Sequence, residues 1–153
     1  MKIRDGELAD LPRLIEMAEN FLMLTTYGGL LIPAPGKLEA FVELILTHGK
    51  AIVAEVPHPE RPEYWQLVGM IGLVALPHPI TGQLIAEEVA WWVEPHSRKG
   101  TIGPRLLQAA EDWASVKGVT VLKMVAPAGS DVGTYYERRG YKALETAFVK
   151  VIT

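Results

Sequence analysis

The chain has 153 residues, 49% of them apolar and 22% charged, so it can bury one substantial core and is too apolar for a disordered segment. Its formal net charge of −3 comes without a basic block, which argues against nucleic acid or an anionic membrane as the main partner. Lack of cysteine excludes disulfides, thiolate metal sites and a cysteine nucleophile, and no apolar stretch reaches the roughly 20 residues of a membrane span. The start M-K-I-R-D-G-E has no hydrophobic signal region, so the expectation is one soluble, cytoplasmic domain over residues 1–153.

Lys2 to Arg4 reads as a short opening strand. From Asp10, a candidate N-cap, the apolar residues Leu11, Leu14, Ile15, Ala18 and Leu22 recur at helical spacing. Thr25 to Gly36 holds too many glycines and prolines for regular structure and reads as a loop. A second helix over Lys37 to His48 places Leu38, Phe41, Val42 and Ile45 on one face and ends at Gly49. Three strand-like runs follow, Ala51 to Val56, Trp65 to Leu76 and Gln83 to Val93. Their links are too short for parallel crossovers, so they form an antiparallel meander in which Gly69 and Gly72 mark a bulge or a close approach. A helix from near Pro104 buries Leu106, Leu107, Ala110, Trp113 and Ala114 and stops at Gly118. The continuous apolar run Val119 to Val125 is expected at the centre of a sheet. A short helix, Val132 to Arg139, ends at Gly140, and a last strand runs from Tyr141 through Y-K-A-L-E-T-A-F-V-K-V-I.

The segment A-W-W-V-E-P-H-S-R-K-G-T-I-G-P-R, from Ala90 to Arg105, is a strand, a turn and the start of a helix. Gly100 and Gly103 are expected to let the backbone turn sharply and bare its N–H groups, and Pro104 suits a first helical turn. The free N–H groups and the positive end of the helix dipole, with Arg98, Lys99 and Arg105 around them, suit a phosphate-bearing ligand. Neither G-K-[ST] nor G-x-G-x-x-G is present, which sets aside the two commonest phosphate loops.

These residues resemble the acyl-coenzyme A signature of the GNAT N-acetyltransferases, V-x-P-x-x-[RQ]-x-x-G-x-[GA], through Val93, Pro95, Arg98 and Gly103. One loop glycine of that pattern falls on Thr101, with Gly100 a place earlier. A second element, Y-E-R-R-G-Y from Tyr136 to Tyr141, resembles the family's Y-E-K-L-G-F. The resemblance implies an α/β fold: one mixed, mainly antiparallel twisted sheet with helices on both faces, splayed where the coenzyme enters. The residues after Gly140 are too few for the family's usual final hairpin. One strand is then missing or merged, and the edge left open would be covered by a second protomer in a two-fold dimer.

The resemblance further implies transfer of an acetyl group from acetyl-CoA directly to a primary amine. Backbone N–H groups of Lys99, Gly100, Thr101, Ile102 and Gly103 would hold the pyrophosphate, with Arg98 and Arg105 beside them. The backbone around Trp92 and Val93 would pair with the pantetheine arm and polarise the thioester carbonyl. Tyr136 corresponds to the hydroxyl that protonates the leaving thiolate, while Tyr135 is a packing residue. Counted back from Arg98, Glu87 matches the glutamate base of histone-modifying members. Alternation lets only one of Glu87 and Glu88 face a given side, and a water chain is the third route. Trp91 and Trp92 either line an acceptor pocket or pack on opposite sheet faces. The acceptor, a small or peptide amine, would meet the Tyr27 region and the turns at 57–64 and 77–82. The histidines lack ligand spacing, so no metal is expected. A coenzyme A sensor without catalysis, or a structural protein keeping only the fold, are the alternatives from other classes.

Overall fold

The computed structural model describes residues 1–25 and 28–152. The Tyr27 part of the expected acceptor region lies outside the described residues. In chain order the elements are β1 Lys2–Asp5, α1 Leu11–Leu24, α2 Lys37–His48, β2 Lys50–Pro57, β3 Trp65–Pro77, β4 Leu84–Val93, α3 Ile102–Lys117, β5 Val121–Lys123 and α4 Val132–Arg138. They build one sheet in the order β1-β2-β3-β4-β5, antiparallel throughout except for the parallel pair β4 and β5.

Two apolar layers sandwich this sheet. On one face Leu106 and Ala110 of α3 pack against Ile52, Ile71 and Leu73, and on the other Leu14, Met17 and Ala18 of α1 pack against Val53, Met70 and Trp92. Asp10 stands at the expected start of α1 without capping it. Its carboxylate instead accepts the Glu7 N–H at 2.8 Å and the Arg4 guanidinium, which also reaches Glu55, and Arg4 holds the Asp10 carboxyl below its ordinary range. This ties β1, β2 and the start of α1 together. α2 departs from expectation more. Of its apolar face only Ile45 is buried, whereas Phe41 is 43% exposed and, with Leu38 and Val42, lines a cavity beneath the helix.

The glycines of β3 sit at register shifts. Ala54 pairs with Gly69 while Glu55 pairs with Leu67, and Gly72 pairs with Ala90 while Leu73 pairs with Glu88, leaving Val68 and Val89 as the extra residues of two bulges. A Cβ on Gly69 would stand 3.1 Å from Leu106 Cδ1 and 3.2 Å from Ile102 Cγ2, so the absent side chain is what seats α3 on the sheet.

The end of the chain corrects two expectations. The run at Val119 to Val125 yields only the three residues of β5, at an edge of the sheet, with Val121 and Val125 each 46% exposed. The expected last strand does not form. Residues 142–152 carry no strand or helix, and Leu144, Phe148 and Ile152 are more than 80% exposed. With no neighbour on its outer side, β5 has no second ladder to lengthen it.

The packing at Gly69 is directly testable. Gly69→Val should overpack the contact with Ile102 and Leu106 and cost about 1–3 kcal/mol, read as a lower midpoint of urea unfolding at unchanged slope. An unchanged midpoint would mean that α3 shifts freely on the sheet.

Candidate active site

β4 and β5 run together for only three pairs, Ile85 with Val121, Ala86 with Leu122 and Glu87 with Lys123, and then diverge. At the point of divergence a side chain takes the place of the ladder: the Glu88 carboxylate accepts the Val125 N–H at 3.1 Å. The carbonyl of the same residue accepts the hydroxyl of Tyr136, on α4, at 3.2 Å. From Val89 to Val93 the β5-facing edge of β4 has no strand partner, so its backbone donors and acceptors border a gap.

The faces follow from the register. Trp91 and Val93 pack with the α3 layer and Trp92 with the α1 layer, so the two tryptophans lie on opposite faces, as the packing alternative has it. Because Val89 is an extra residue, the alternation inverts there. Glu88 stands opposite Leu73 and shares the α3 face with Trp91, while Glu87 stands opposite Val74 on the other face. Glu87 is half-exposed and 3.9 Å from Lys123 Nζ, on the face away from Tyr136.

Tyr136 is 5% exposed, its ring stacked 6.0 Å from Trp91 and tilted against Tyr141 at 5.3 Å. Burial, then the Glu88 charge, then Tyr141 and Tyr135 push its pKa above the ordinary tyrosine value, so it is a held proton donor. Burial also raises the Glu88 carboxyl to about 7, partly offset by the Val125 N–H. Glu88 and Tyr136 thus both hold the backbone of one residue, Val125, which spacing in the sequence does not reveal. Tyr141 donates to Glu111 at 3.0 Å, and Arg139 bonds the same carboxylate, fastening the end of α4 to α3.

After β4 the chain turns through Pro95–Ser97 into α3. Glu94, 7% exposed, is held by Arg13 of α1 at 2.6 Å, an anchor that the sequence reading passed over because its partner is far along the chain. Arg98 folds back, its Nε donating to the Val93 carbonyl at 2.8 Å and its guanidinium lying 4.4 Å from the centre of the Trp92 ring. Lys99, Gly100 and Thr101 are exposed and lead into α3 at Ile102, two residues earlier than Pro104 suggested. Neither Gly100 nor Gly103 has a positive φ, so the turn does not demand glycine for its own path. What the two glycines leave is room, as a Cβ on Gly100 would meet nothing within 4 Å and one on Gly103 would meet Trp91 at 3.4 Å. The first-turn N–H groups of Ile102 and Gly103 have no intrahelical acceptor, Pro104 offers none, and Arg105 N–H already bonds the Thr101 carbonyl.

On the face opposite Tyr136, α1, α2 and the sheet enclose a cavity of about 260 Å³ whose floor includes Gly72, Val89 and Ala90. Neither the turn at 57–64 nor that at 77–82 lines it. No group of acidic and histidine side chains among the described residues could hold a metal ion, and no helix among them is long and apolar enough to cross a membrane.

The family model of the Acetyltransferase (GNAT) family matches residues 34–141, which spans α2 through Tyr141 and so contains both sequence elements and the gap between them. The chain belongs to the GNAT acetyltransferase family. Its fold is shared with solved structures of acetyltransferases. One is a ribosomal-protein-alanine N-acetyltransferase from Brucella melitensis biovar Abortus 2308, at TM-score 0.68 and 18% identity over 100% of both chains. Another is an acetyltransferase of Trypanosoma brucei, at 0.71 and 19% over 99% of each chain. A third is an aminoglycoside acetyltransferase from an uncultured soil metagenomic sample, at 0.70 and 15% over 99% of this chain and 98% of that one. At these identities the likeness is one of fold. No curated protein matches the chain.

The buried carboxyl gives a stability test. Glu88 has its folded pKa raised from 4.5 to about 7, so its contribution to stability is fully present below pH 4.5 and is lost as pH rises through 7. Glu88→Gln should remove that loss, so the melting temperature of the wild type falls relative to the variant between pH 4.5 and 7.5. Parallel curves from thermal denaturation would mean that Glu88 titrates as an exposed carboxylate.

Proposed function

We propose that this GNAT protein transfers an acetyl group from acetyl-CoA directly to a primary amine. The observation that supports the reading best is the pair Glu88 and Tyr136 held by the backbone N–H and carbonyl of one residue, Val125, at the mouth of the gap where β4 leaves β5. The residues present fit the coenzyme. The unpaired edge of β4 suits the amide-bearing pantetheine arm as an added strand, and the free N–H groups of Ile102 and Gly103, with Lys99, Gly100, Thr101 and Arg105 around them, suit its pyrophosphate. Arg98 fixes the end of β4 through Nε and keeps its terminal guanidinium N–H groups for a phosphate.

In this reaction the amine nitrogen forms a bond to the acetyl carbon and the carbon–sulfur bond breaks. A backbone N–H of the Trp92 and Val93 stretch stabilises the oxygen of the carbonyl as charge develops on it. Glu88 accepts the proton that the amine sheds. Its carboxyl, raised to about 7, is half ionised near neutrality, a better match to a general base than the half-exposed Glu87 beside Lys123. Tyr136 gives its proton to the departing thiolate. Binding without turnover would leave the buried, raised Tyr136 and the raised Glu88 with no chemical role, which is why catalysis is preferred to a sensor.

The decisive experiment combines calorimetry of acetyl-CoA binding with turnover of Tyr136→Phe. The variant keeps the ring stacked on Trp91 and loses only the donor, so acetyl-CoA affinity should stay within twofold while kcat drops about 10² to 10⁴-fold. Absence of acetyl-CoA binding by the wild type would sink the whole reading, and unchanged turnover would remove Tyr136 from it.

We also propose that the protein acts as a two-fold dimer, supported by the C-terminal tail. Leu144, Phe148, Val149, Val151 and Ile152 are 61–91% exposed on a segment of strand-like composition, and β5 has an open edge. Glu145 is tied back to Lys123 of β5 at 2.8 Å. A tail that crosses to a second copy would pair its backbone and cover its apolar side chains. Light scattering at micromolar concentration should give a dimer for the full chain and a monomer for a chain ending at Tyr141; a monomeric full chain would refute the assembly.

A further inference from the structure

We infer that the cavity beneath α2 binds the body of the acceptor, and that this body is apolar, a single aromatic ring or a branched aliphatic group that carries the reacting primary amine. The inference rests on the acyltransferase reading above and names its substrate class. Among the described residues every side chain around the cavity is apolar except Lys37 at its border, with Leu38, Phe41 and Val42 on α2, Ala18 on α1 and Val89 and Ala90 on β4. A polyhydroxylated or polycationic acceptor would find no partners for its polar groups there, and Lys37 would repel added positive charge.

Size narrows the class. An engineered apolar cavity of about 150 Å³ accepts benzene, and pockets for drug-sized ligands begin near 300 Å³. At about 260 Å³ this one suits one ring or one branched chain with a short arm. Its place in the fold supplies the reason for an acceptor as occupant. Val89, the bulge residue, lies next to Glu88 in the strand, so an amine extending from the cavity past Val89 reaches the gap from the α1 and α2 face. Tyr136, Glu88 and the turn into α3 are on the other face, so the amine would meet them by entering the unpaired gap beside Val89. Gly72 lets the bulge residue sit down on the cavity floor, since a Cβ there would stand 3.1 Å from Val89 Cγ2. An unfilled apolar void is also a standing cost to the fold, so a device that keeps α2 lifted from the sheet has its explanation in a ligand.

The test is calorimetry with phenethylamine, isoamylamine, spermidine and kanamycin as probes, with and without saturating coenzyme A. Phenethylamine and isoamylamine should bind at least tenfold more tightly than the other two. Ala18→Phe, and Val42→Phe as a second variant from the opposite wall, should fill the cavity, keep coenzyme A affinity and weaken phenethylamine at least tenfold. Tighter binding of spermidine or kanamycin, no binding of any amine, or phenethylamine affinity untouched in a folded filled variant would each overturn the inference. So would weakened hexanoyl-CoA binding in the filled variants with amine binding unaffected, because the cavity would then hold a longer acyl chain. Loss of coenzyme A binding from the wild type itself would strike the acyltransferase reading, and phenethylamine measured without coenzyme A would still report on the cavity.

Discussion

Everything in the site depends on the point at which β4 stops pairing with β5. A parallel ladder that ends in mid-sheet leaves amide and carbonyl groups without partners, and such groups are costly when they are shielded from water. Val125 resolves this at the mouth of the gap by giving its N–H to Glu88 and its carbonyl to Tyr136, so that neither is available to pull the strands together again. The groups used as substitutes for the ladder are both titratable. The wedge that keeps the sheet open is therefore also the site's store of protons, and each net hydrogen bond of this kind adds about 1 kcal/mol to holding the gap in place.

The bulge at Val89 is the second determinant. One extra residue turns the strand about its axis, and the consequence is that Glu88 rather than Glu87 faces Trp91 and Tyr136. The same bulge lies at the floor of the cavity with Gly72, where α2 leaves a cavity instead of a closed core. Local backbone irregularity thus sets both the identity of the buried carboxylate and the access to it from the far face. The ends of the gap are stiffened by long-range ion pairs, Arg13 with Glu94 on one side and Arg139 with Glu111 on the other.

Much of this was legible in the chain itself. The meander, the helices and the turn into α3 follow from periodicity, short links and glycine or proline placement, and the two sequence elements identify the family with Tyr136 and the loop in their order. The choice between Glu87 and Glu88 was not legible, because a strand's alternation is known only when its bulges are, and Gly72 announces a bulge without saying on which neighbour the extra residue falls. Arg13 and Glu94 are 81 residues apart and no local pattern pairs them. The α2 face reads as core since periodicity reports which side is apolar, not how near the sheet comes. The tail fails for a related reason. Tyr141 onward has a strand's composition, but a strand needs a partner, and the partner is a matter of topology that residue types do not encode.

The closeness of Glu88 and Tyr136 at Val125 has a consequence for the order of proton movements in the proposed reaction. With Glu88 ionised, its charge is among the influences that raise the Tyr136 pKa, so the hydroxyl is a poor acid before the amine reacts. Once Glu88 has taken the amine's proton that influence disappears and the tyrosine pKa falls, at the moment when a thiolate is forming beside it. The reverse holds as well, since a tyrosine that has lost its proton raises the pKa of Glu88 and retains the proton there until the hydroxyl is restored. The charge on Glu88 thus links the two titrations. A pH dependence of turnover controlled by a single residue would be inconsistent with that coupling, whereas a base limb near 7 that moves when Tyr136 is replaced by phenylalanine is what the arrangement requires.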